Sequence, residues 1–210
     1  MKMIDYLQQI EHAVTAVTNL IWEEYEKLEI LIPKVKKLTV YVQADYQRAI
    51  SLQLSDDDDD YMNGIGSSWD NYWGNDKELK EKDIELEKLE TKIATQRFSV
   101  ESLAGNLLQY AKQGISIVHT KLDYCPNGRF IQSQPLKNII WQGRNQALHF
   151  EEGKPHPPAD RCFETLSEEV DTKFLHYKSR NMGFEVIDLL NWRKFDNFKS
   201  DLLSLEKVTT

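Results

Sequence analysis

The sequence predicts an all-α protein, an antiparallel helical bundle of about five to seven helices. Apolar residues recur three and four positions apart over long stretches, which is the period of one helix face. No convincing run of residues alternates between apolar and polar as a half-buried strand does. A chain of 210 residues is long enough to bury one good core, so we expect residues 1–210 to form a single domain.

The first two helical stretches flank a proline. The first apolar stripe consists of Leu7, Ile10, Val14, Val17, Ile21, Tyr25, Leu28 and Leu31. Pro33 follows it, and we expect a kink or a short turn there because proline removes a helix hydrogen bond. The second stripe consists of Val35, Leu38, Val42, Tyr46, Ala49 and Leu52.

A long acidic loop is expected after these helices, over residues 55–76. The stretch "SDDDDDYMNGIGSSWDNYWGN" has neither a two-residue nor a 3.6-residue period and contains five consecutive aspartates. Calcium loops place their ligands at alternating positions around a turning glycine, so the run Asp56–Asp60 indicates a solvated, mobile loop instead. Trp69 and Trp73 are large enough to dock on this protein's own surface or on a partner's.

The third helical stretch has the strongest pattern, with Leu79, Leu86, Ile93, Val100 and Leu107 seven residues apart. An unbroken helix to about His119 would measure about 60 Å, so we expect either a break between Gln96 and Ser99 or a projecting helix. The turn-rich stretch "LDYCPNGRFIQSQP" follows it, and Pro135 suits the first turn of the next helix.

That next helix carries the stretch "WQGRNQALHF", from Trp141 to Phe150. The stretch "EEGKPHPPAD" after it is incompatible with helix, and two helical segments then close the chain, at about Arg161–Tyr177 and Phe184–Glu206.

Charge and composition exclude several classes of protein. A net charge of -8 and a pI of about 5.2 argue against broad attraction to DNA, other nucleic acid or anionic membranes, although a small basic site for RNA remains open. Neither a membrane-spanning stretch nor a signal peptide is evident, so we expect a cytoplasmic protein that does not bind a membrane. Cys125 and Cys162 are too few and too far apart for a disulfide framework or a CxxC metal site. The sequence has no phosphate-binding glycine motif, so we expect no cofactor.

The helix of "WQGRNQALHF" has two distinct faces at about 100° per residue. Its expected core face consists of Leu136, Ile139, Ile140, Gly143, Ala147 and Phe150. Trp141, Asn145 and His149 lie four apart on a nearly opposite side, with Arg144 on the flank between them. An exposed tryptophan beside an arginine is typical of an interface centre, so these three residues are interface candidates for a two-fold dimer.

The stretch "RNQALH" resembles the signature of the HEPN superfamily, in which a histidine follows an arginine after four to six residues. Its members often have a polar residue, frequently asparagine, directly after the arginine, as Asn145 is here. The resemblance covers about ten residues and the all-α context. It implies a typically dimeric bundle whose paired motifs form a metal-independent ribonuclease site. Members include prokaryotic toxins and defence proteins, and others are described as noncatalytic RNA binders.

The resemblance assigns chemistry to three residues. His149 would act as general base or acid on the RNA 2′-hydroxyl or leaving 5′-oxygen, and Arg144 would stabilise charge on the phosphate. Asn145 would orient the phosphate or the histidine ring by hydrogen bonds. Glu151 stands where branches with nucleotidyltransferase antitoxins commonly have tyrosine, so that pairing is not expected. The adjacent carboxylates of Glu151 and Glu152 work against phosphate binding.

Three functions therefore remain open from the sequence. The first is a metal-independent endoribonuclease of HEPN type, such as a toxin or a defence or stress effector, with a composite site in a homodimer and an antitoxin or other protein partner. The second is a noncatalytic dimeric module of the same architecture that binds RNA or a protein. The third is a structural helical protein whose long stripes form coiled-coil contacts with another chain.

Overall fold

A computed structural model describes residues 1–54 and 76–206 of the chain, and helices dominate these residues. The α-helices are α1 (Met3–Leu54), α2 (Asp76–His119), α3 (Leu136–His149), α4 (Pro157–Glu169), α5 (Gly183–Leu189) and α6 (Phe195–Ser204). Short 3₁₀ helices cover Leu122–Tyr124, Phe150–Glu152 and Thr172–Lys178. The sheet in this part of the chain is one antiparallel pair of two-residue strands, β1 (Phe130–Ile131) and β2 (Gln134–Pro135). The all-α prediction is confirmed.

The predicted acidic loop of residues 55–76 falls almost wholly on residues 55–75, outside the described part of the chain. The predictions for Asp56–Asp60, Trp69 and Trp73 lie there too. In the two described ranges, no helix combines the length and the apolar content that a bilayer span requires.

The two long helices are more continuous than the sequence predicts. Pro33 lies inside α1 without ending it. Its position on the surface explains this, because water can bond the carbonyl that loses its helix partner. α2 likewise runs through Gln96–Ser99 without a break.

The closing segments are more broken than predicted. The expected helix Arg161–Tyr177 consists of the end of α4 and a 3₁₀ helix, separated near Asp171, whose carboxylate accepts from the Lys173 backbone N–H. The expected helix Phe184–Glu206 is split into α5 and α6 around Asn191, which has a φ of 58°. Asparagine visits this left-handed region more readily than most residues, and its sequence context carried no turn signal.

Contacts divide the chain into two compact units, one of Met1–Tyr25 with Phe98–Thr210 and one of Glu26–Arg97. In the second unit, the Tyr41 hydroxyl donates to Glu78 over 3.4 Å, and Lys82 Nζ lies 5.4 Å from the centre of the Tyr41 ring. Leu28, Leu31 and Val42 are buried in this unit. Its part of α1 and its part of α2 therefore pack as a helical pair.

The first unit holds the main hydrophobic core and the motif helix α3. Its largest fully buried side chains include Trp192, Tyr177, Phe163, Phe174 and Phe198. α3 approaches α5 closely at Gly143, where an added Cβ would lie 2.9 Å from Val186. Only glycine leaves room for this contact, so α3 is fixed tightly against α5.

Candidate functional site

The core face of α3 is close to the predicted one. Leu136, Ile139, Ile140, Gly143 and Ala147 are buried, and Phe150 is half-buried. Gln142 and Gln146 are buried as well, which the apolar stripe did not predict. α3 therefore buries more than one face, because it is packed between other elements of its unit.

α2 runs antiparallel to α3 along a row of contacts. A Cβ on Gly105 of α2 would lie 3.5 Å from Ala147 Cβ, and Gln109 lies one turn further along α2 beside Arg144. Lys112 comes after another turn, beside Trp141. The residue numbers rise on α2 as they fall on α3, which defines the antiparallel register. We call Gln109, Lys112, Trp141 and Arg144 the α2–α3 seam.

Arg144 is held in the seam by amide groups. Its Nε donates to Gln109 Oε1 over 2.6 Å, and its Nη1 donates to Asn145 Oδ1 over 3.2 Å. Among the described residues, no carboxylate oxygen lies within 4.0 Å of this guanidinium, whereas Arg129, Arg180 and Arg193 each pair with one. The half-buried Arg144 thus has no carboxylate partner among the described residues, in a protein of net charge -8.

Asn145 supports the arginine rather than the histidine. Its Oδ1 accepts from Arg144, and its Nδ2 donates to Gln142 Oε1 over 3.5 Å. In the described residues it has no hydrogen bond to His149. The arrangement makes Asn145 and Gln109 the two groups that orient the guanidinium fork.

Trp141 is less exposed than the sequence predicts. Its ring is half-buried against the hydrophobic core, and Lys112 Nζ lies 4.7 Å from its centre. The prediction of an exposed tryptophan assumed that the side of α3 opposite the core stripe faces solvent, but α2 covers part of that side. The interface candidates that remain more open are Asn145, which is half-buried, and His149, which is exposed.

His149 ends α3 and pairs with Glu152, a residue that the sequence predicts only to oppose phosphate binding. The prediction that "EEGKPHPPAD" contains no helix is wrong at both ends of the stretch. α4 begins within it at Pro157, and Phe150–Glu152 continues α3 as a 3₁₀ turn. Gly153 then ends that turn with a φ of 64°, a conformation that glycine adopts at little cost. Glu152 is thereby placed three residues after His149, with its Oε1 2.8 Å from His149 Nδ1.

This pair fixes which ring nitrogen can react. A carboxylate only accepts hydrogen bonds, so Nδ1 of His149 carries the proton that it donates to Glu152. In the neutral ring, Nε2 then has the free lone pair and can take a proton from a substrate. The side chains are 49% and 56% exposed, so the pair orients the ring and contributes little to stability.

Arg144 and His149 are not joined in a single chain. They are five residues apart on α3, which separates them by about 140° around the helix axis and about 7.5 Å along it. No hydrogen bond links the two side chains, both of which the structure describes. One chain therefore presents a cationic group and a base on different sides of one helix.

A buried polar clamp lies beneath the motif. The amide of Gln146 donates to the carbonyl oxygens of Tyr177 and Arg180, each over 2.7 Å, and its Oε1 accepts from the Met182 N–H over 2.8 Å. Asn181 Nδ2 donates to the Ala147 carbonyl over 2.9 Å. These bonds fix α3 to the segment that leads into α5.

The cysteines are unsuited to nucleophilic chemistry. Both are buried, and burial raises the pKa of Cys125 to about 11 and that of Cys162 to about 12. Their thiols stay protonated at neutral pH. Within the described ranges, no three His, Cys, Asp or Glu side chains are arranged to hold a metal ion.

Comparison of the chain with protein-family models, with curated proteins and with solved structures finds no match.

Proposed function

We propose that this protein is a metal-independent endoribonuclease of HEPN type, with a composite site in a homodimer. The observation that carries the proposal is Arg144, a half-buried guanidinium held by two amide oxygens and without a carboxylate in the described residues. A charge oriented in this way, rather than neutralised, suits a phosphate ligand that accepts two parallel hydrogen bonds. His149, with Nδ1 held by Glu152, supplies the base.

The reaction is an internal phosphoryl transfer. Nε2 of His149 takes the proton of the RNA 2′-hydroxyl, the 2′-oxygen attacks the adjacent phosphorus, and the bond to the 5′-oxygen breaks. Arg144 stabilises the negative charge that grows on the phosphoryl oxygens. The protonated histidine of the second copy gives its proton to the leaving 5′-oxygen. The products carry a 2′,3′-cyclic phosphate and a 5′-hydroxyl.

A second copy is part of the proposal because Arg144 and His149 lie on different sides of α3. Across a two-fold axis beside this helix, the exposed His149 of each copy approaches the other copy's motif. Two Arg-His sets then share one cleft. A protein partner that blocks this cleft, such as an antitoxin, would control the activity.

The principal test is cleavage of labelled single-stranded RNA and transfer RNA in EDTA. We expect cleavage by the parent protein, with a cyclic phosphate on the 5′ fragment, and no cleavage by an Arg144→Ala, His149→Ala double variant purified in parallel. The double variant must give the parent's circular dichroism and thermal unfolding. Equal cleavage by a folded double variant would assign the activity to a contaminant.

Subunit mixing tests the composite site. When parent chains are co-refolded with an equal amount of the double variant, random pairing places half of the parent chains in mixed dimers. A site shared between copies predicts that cleavage falls to about half of the parent-only rate at equal parent concentration. Unchanged cleavage in mixtures whose subunit exchange is verified would show that one chain carries a complete site.

Replacing Glu152 with alanine is expected to lower cleavage on the order of tenfold, because the His149 ring loses the group that fixes its tautomer. The matched control is Glu151→Ala, which removes an exposed carboxylate that has no hydrogen bond to the ring in the described residues. The measurement compares the initial cleavage rates of the parent, Glu152→Ala and Glu151→Ala at equal RNA concentration. If both variants are faster than the parent, Glu152 acts only by repelling phosphate.

A noncatalytic module of the same architecture is the second candidate. The exposed carboxylates of Glu151 and Glu152 beside His149 favour it, because they oppose the approach of an RNA phosphate to the base. Binding of RNA without cleavage in the principal test would select this function.

A further inference from the structure

We propose that the α2–α3 seam is a nucleotide subsite for single-stranded RNA, in which Lys112 binds a phosphate and Trp141 stacks a base. The substrate class rests on the proposed function, but Lys112 and Trp141, which the subsite adds, are not members of the catalytic pair Arg144 and His149. Neither Lys112 nor Gln109 was singled out by any sequence pattern.

The geometry of Lys112 carries the first step. Its Nζ lies 4.7 Å from the centre of the Trp141 ring, and in the described residues it pairs with no carboxylate. Cation–π attraction holds an ammonium over an indole face without neutralising it. Lys112 therefore keeps its charge available to an anion, as Arg144 does.

The second step is the spacing of the two cations. Gln109 precedes Lys112 by three residues on α2 and accepts a hydrogen bond from Arg144. Trp141 precedes Arg144 by three residues on α3, and its ring lies under Lys112. The two residues that carry the positive charges are thus placed about one helical turn apart along the seam, roughly 5 Å of helix rise. A chain with successive phosphates fits two such charges better than a single phosphate does.

The third step is the indole ring of Trp141, which lies under Lys112 and three residues before Arg144 on α3. Trp141 is half-buried, so the core fixes part of its surface while the rest stays accessible. A base stacks on an indole whatever its sequence, and combining aromatic rings with cations is the usual way of binding single strands. A duplex hides its base faces, so this site selects unpaired RNA.

The decisive experiment measures binding by the full-length protein to a short labelled 2′-O-methyl single strand, which lacks the nucleophile for cleavage. Fluorescence anisotropy is recorded at several salt concentrations for the parent, Lys112→Gln, Trp141→Leu and Trp141→Phe. Lys121→Gln is the matched control, because Lys121 is an exposed lysine on the connection after α2.

We expect Lys112→Gln to weaken binding and to reduce the slope of log affinity against log salt by about 0.7, the value for one phosphate contact on a single strand. Trp141→Leu weakens binding by roughly tenfold at every salt concentration with the slope unchanged, and Trp141→Phe retains most of the affinity. Lys121→Gln binds as the parent does. A duplex of the same sequence binds more weakly than the single strand.

Parental affinity and salt slope in folded Lys112→Gln would overturn the subsite, even if Trp141→Leu fails to fold. Absence of any single-strand binding by the parent would overturn it as well. Its failure is distinguishable from failure of the ribonuclease proposal. Binding that depends on Lys112, without any cleavage of ordinary RNA, supports the subsite and rejects the enzyme. Cleavage that depends on His149 but not on Lys112 or Trp141 supports the enzyme and rejects the subsite.

Discussion

Replacing His149 with alanine is expected to lower metal-independent RNA cleavage by about 10²- to 10⁴-fold, the usual contribution of a general base or acid. The histidine is exposed, so the substitution removes Nε2, the proposed proton acceptor, without disturbing the core. Arg144→Ala is expected to cost about 10²- to 10³-fold through the loss of charge stabilisation. Single-turnover cleavage in EDTA, with the cyclic phosphate identified on the product, measures both effects.

His156→Ala is the matched control for His149→Ala. His156 is also exposed and lies seven residues further along, at the start of α4, without a hydrogen bond from its ring among the described residues. Its variant should cleave RNA as the parent does. Equal loss in both histidine variants would show that the effect is not specific to His149 and would contradict its role as the base.

Replacing Gln146 with leucine is expected to lower the free energy of unfolding by about 3 kcal/mol or more. The substitution leaves two carbonyl oxygens and the Met182 N–H without their partner, and each unsatisfied buried group costs about 1–3 kcal/mol. Gln146 is only 4% exposed, so water replaces these bonds poorly. Urea unfolding followed by circular dichroism gives the change as a lower midpoint.

The matched control is Gln113→Leu, at an exposed position of α2, which should change stability by less than about 0.5 kcal/mol. Similar midpoints for the two variants would show that the clamp under the motif contributes nothing. The expected difference would instead show that part of "RNQALH" serves the fold, since Gln146 lies between Arg144 and His149. Arg144 and His149 variants should then be judged only after their stability is measured.

The sequence predicted the core face of α3 better than the contacts of its polar side chains. It placed the core face of α3 correctly at Leu136, Ile139, Ile140, Gly143 and Ala147, because a 3.6-residue period is a local property. It treated Trp141 as exposed and Glu152 only as a repulsive charge. Each interpretation left out a neighbouring element that the sequence does not reveal. For Trp141 this element is α2, and for Glu152 it is the 3₁₀ turn Phe150–Glu152.

The sequence by itself determined that this chain folds into helices, which face of α3 enters the core, and which residue types stand in its motif. Only the tertiary structure decided which polar groups meet. Arg144 bonds Gln109 across 35 positions of sequence, and Gln146 bonds the Arg180 carbonyl across 34. No repeat or spacing in the sequence predicts these hydrogen-bonded pairs, because the register between packed helices determines which residues meet. That register in turn depends on close contacts such as Gly143 against Val186.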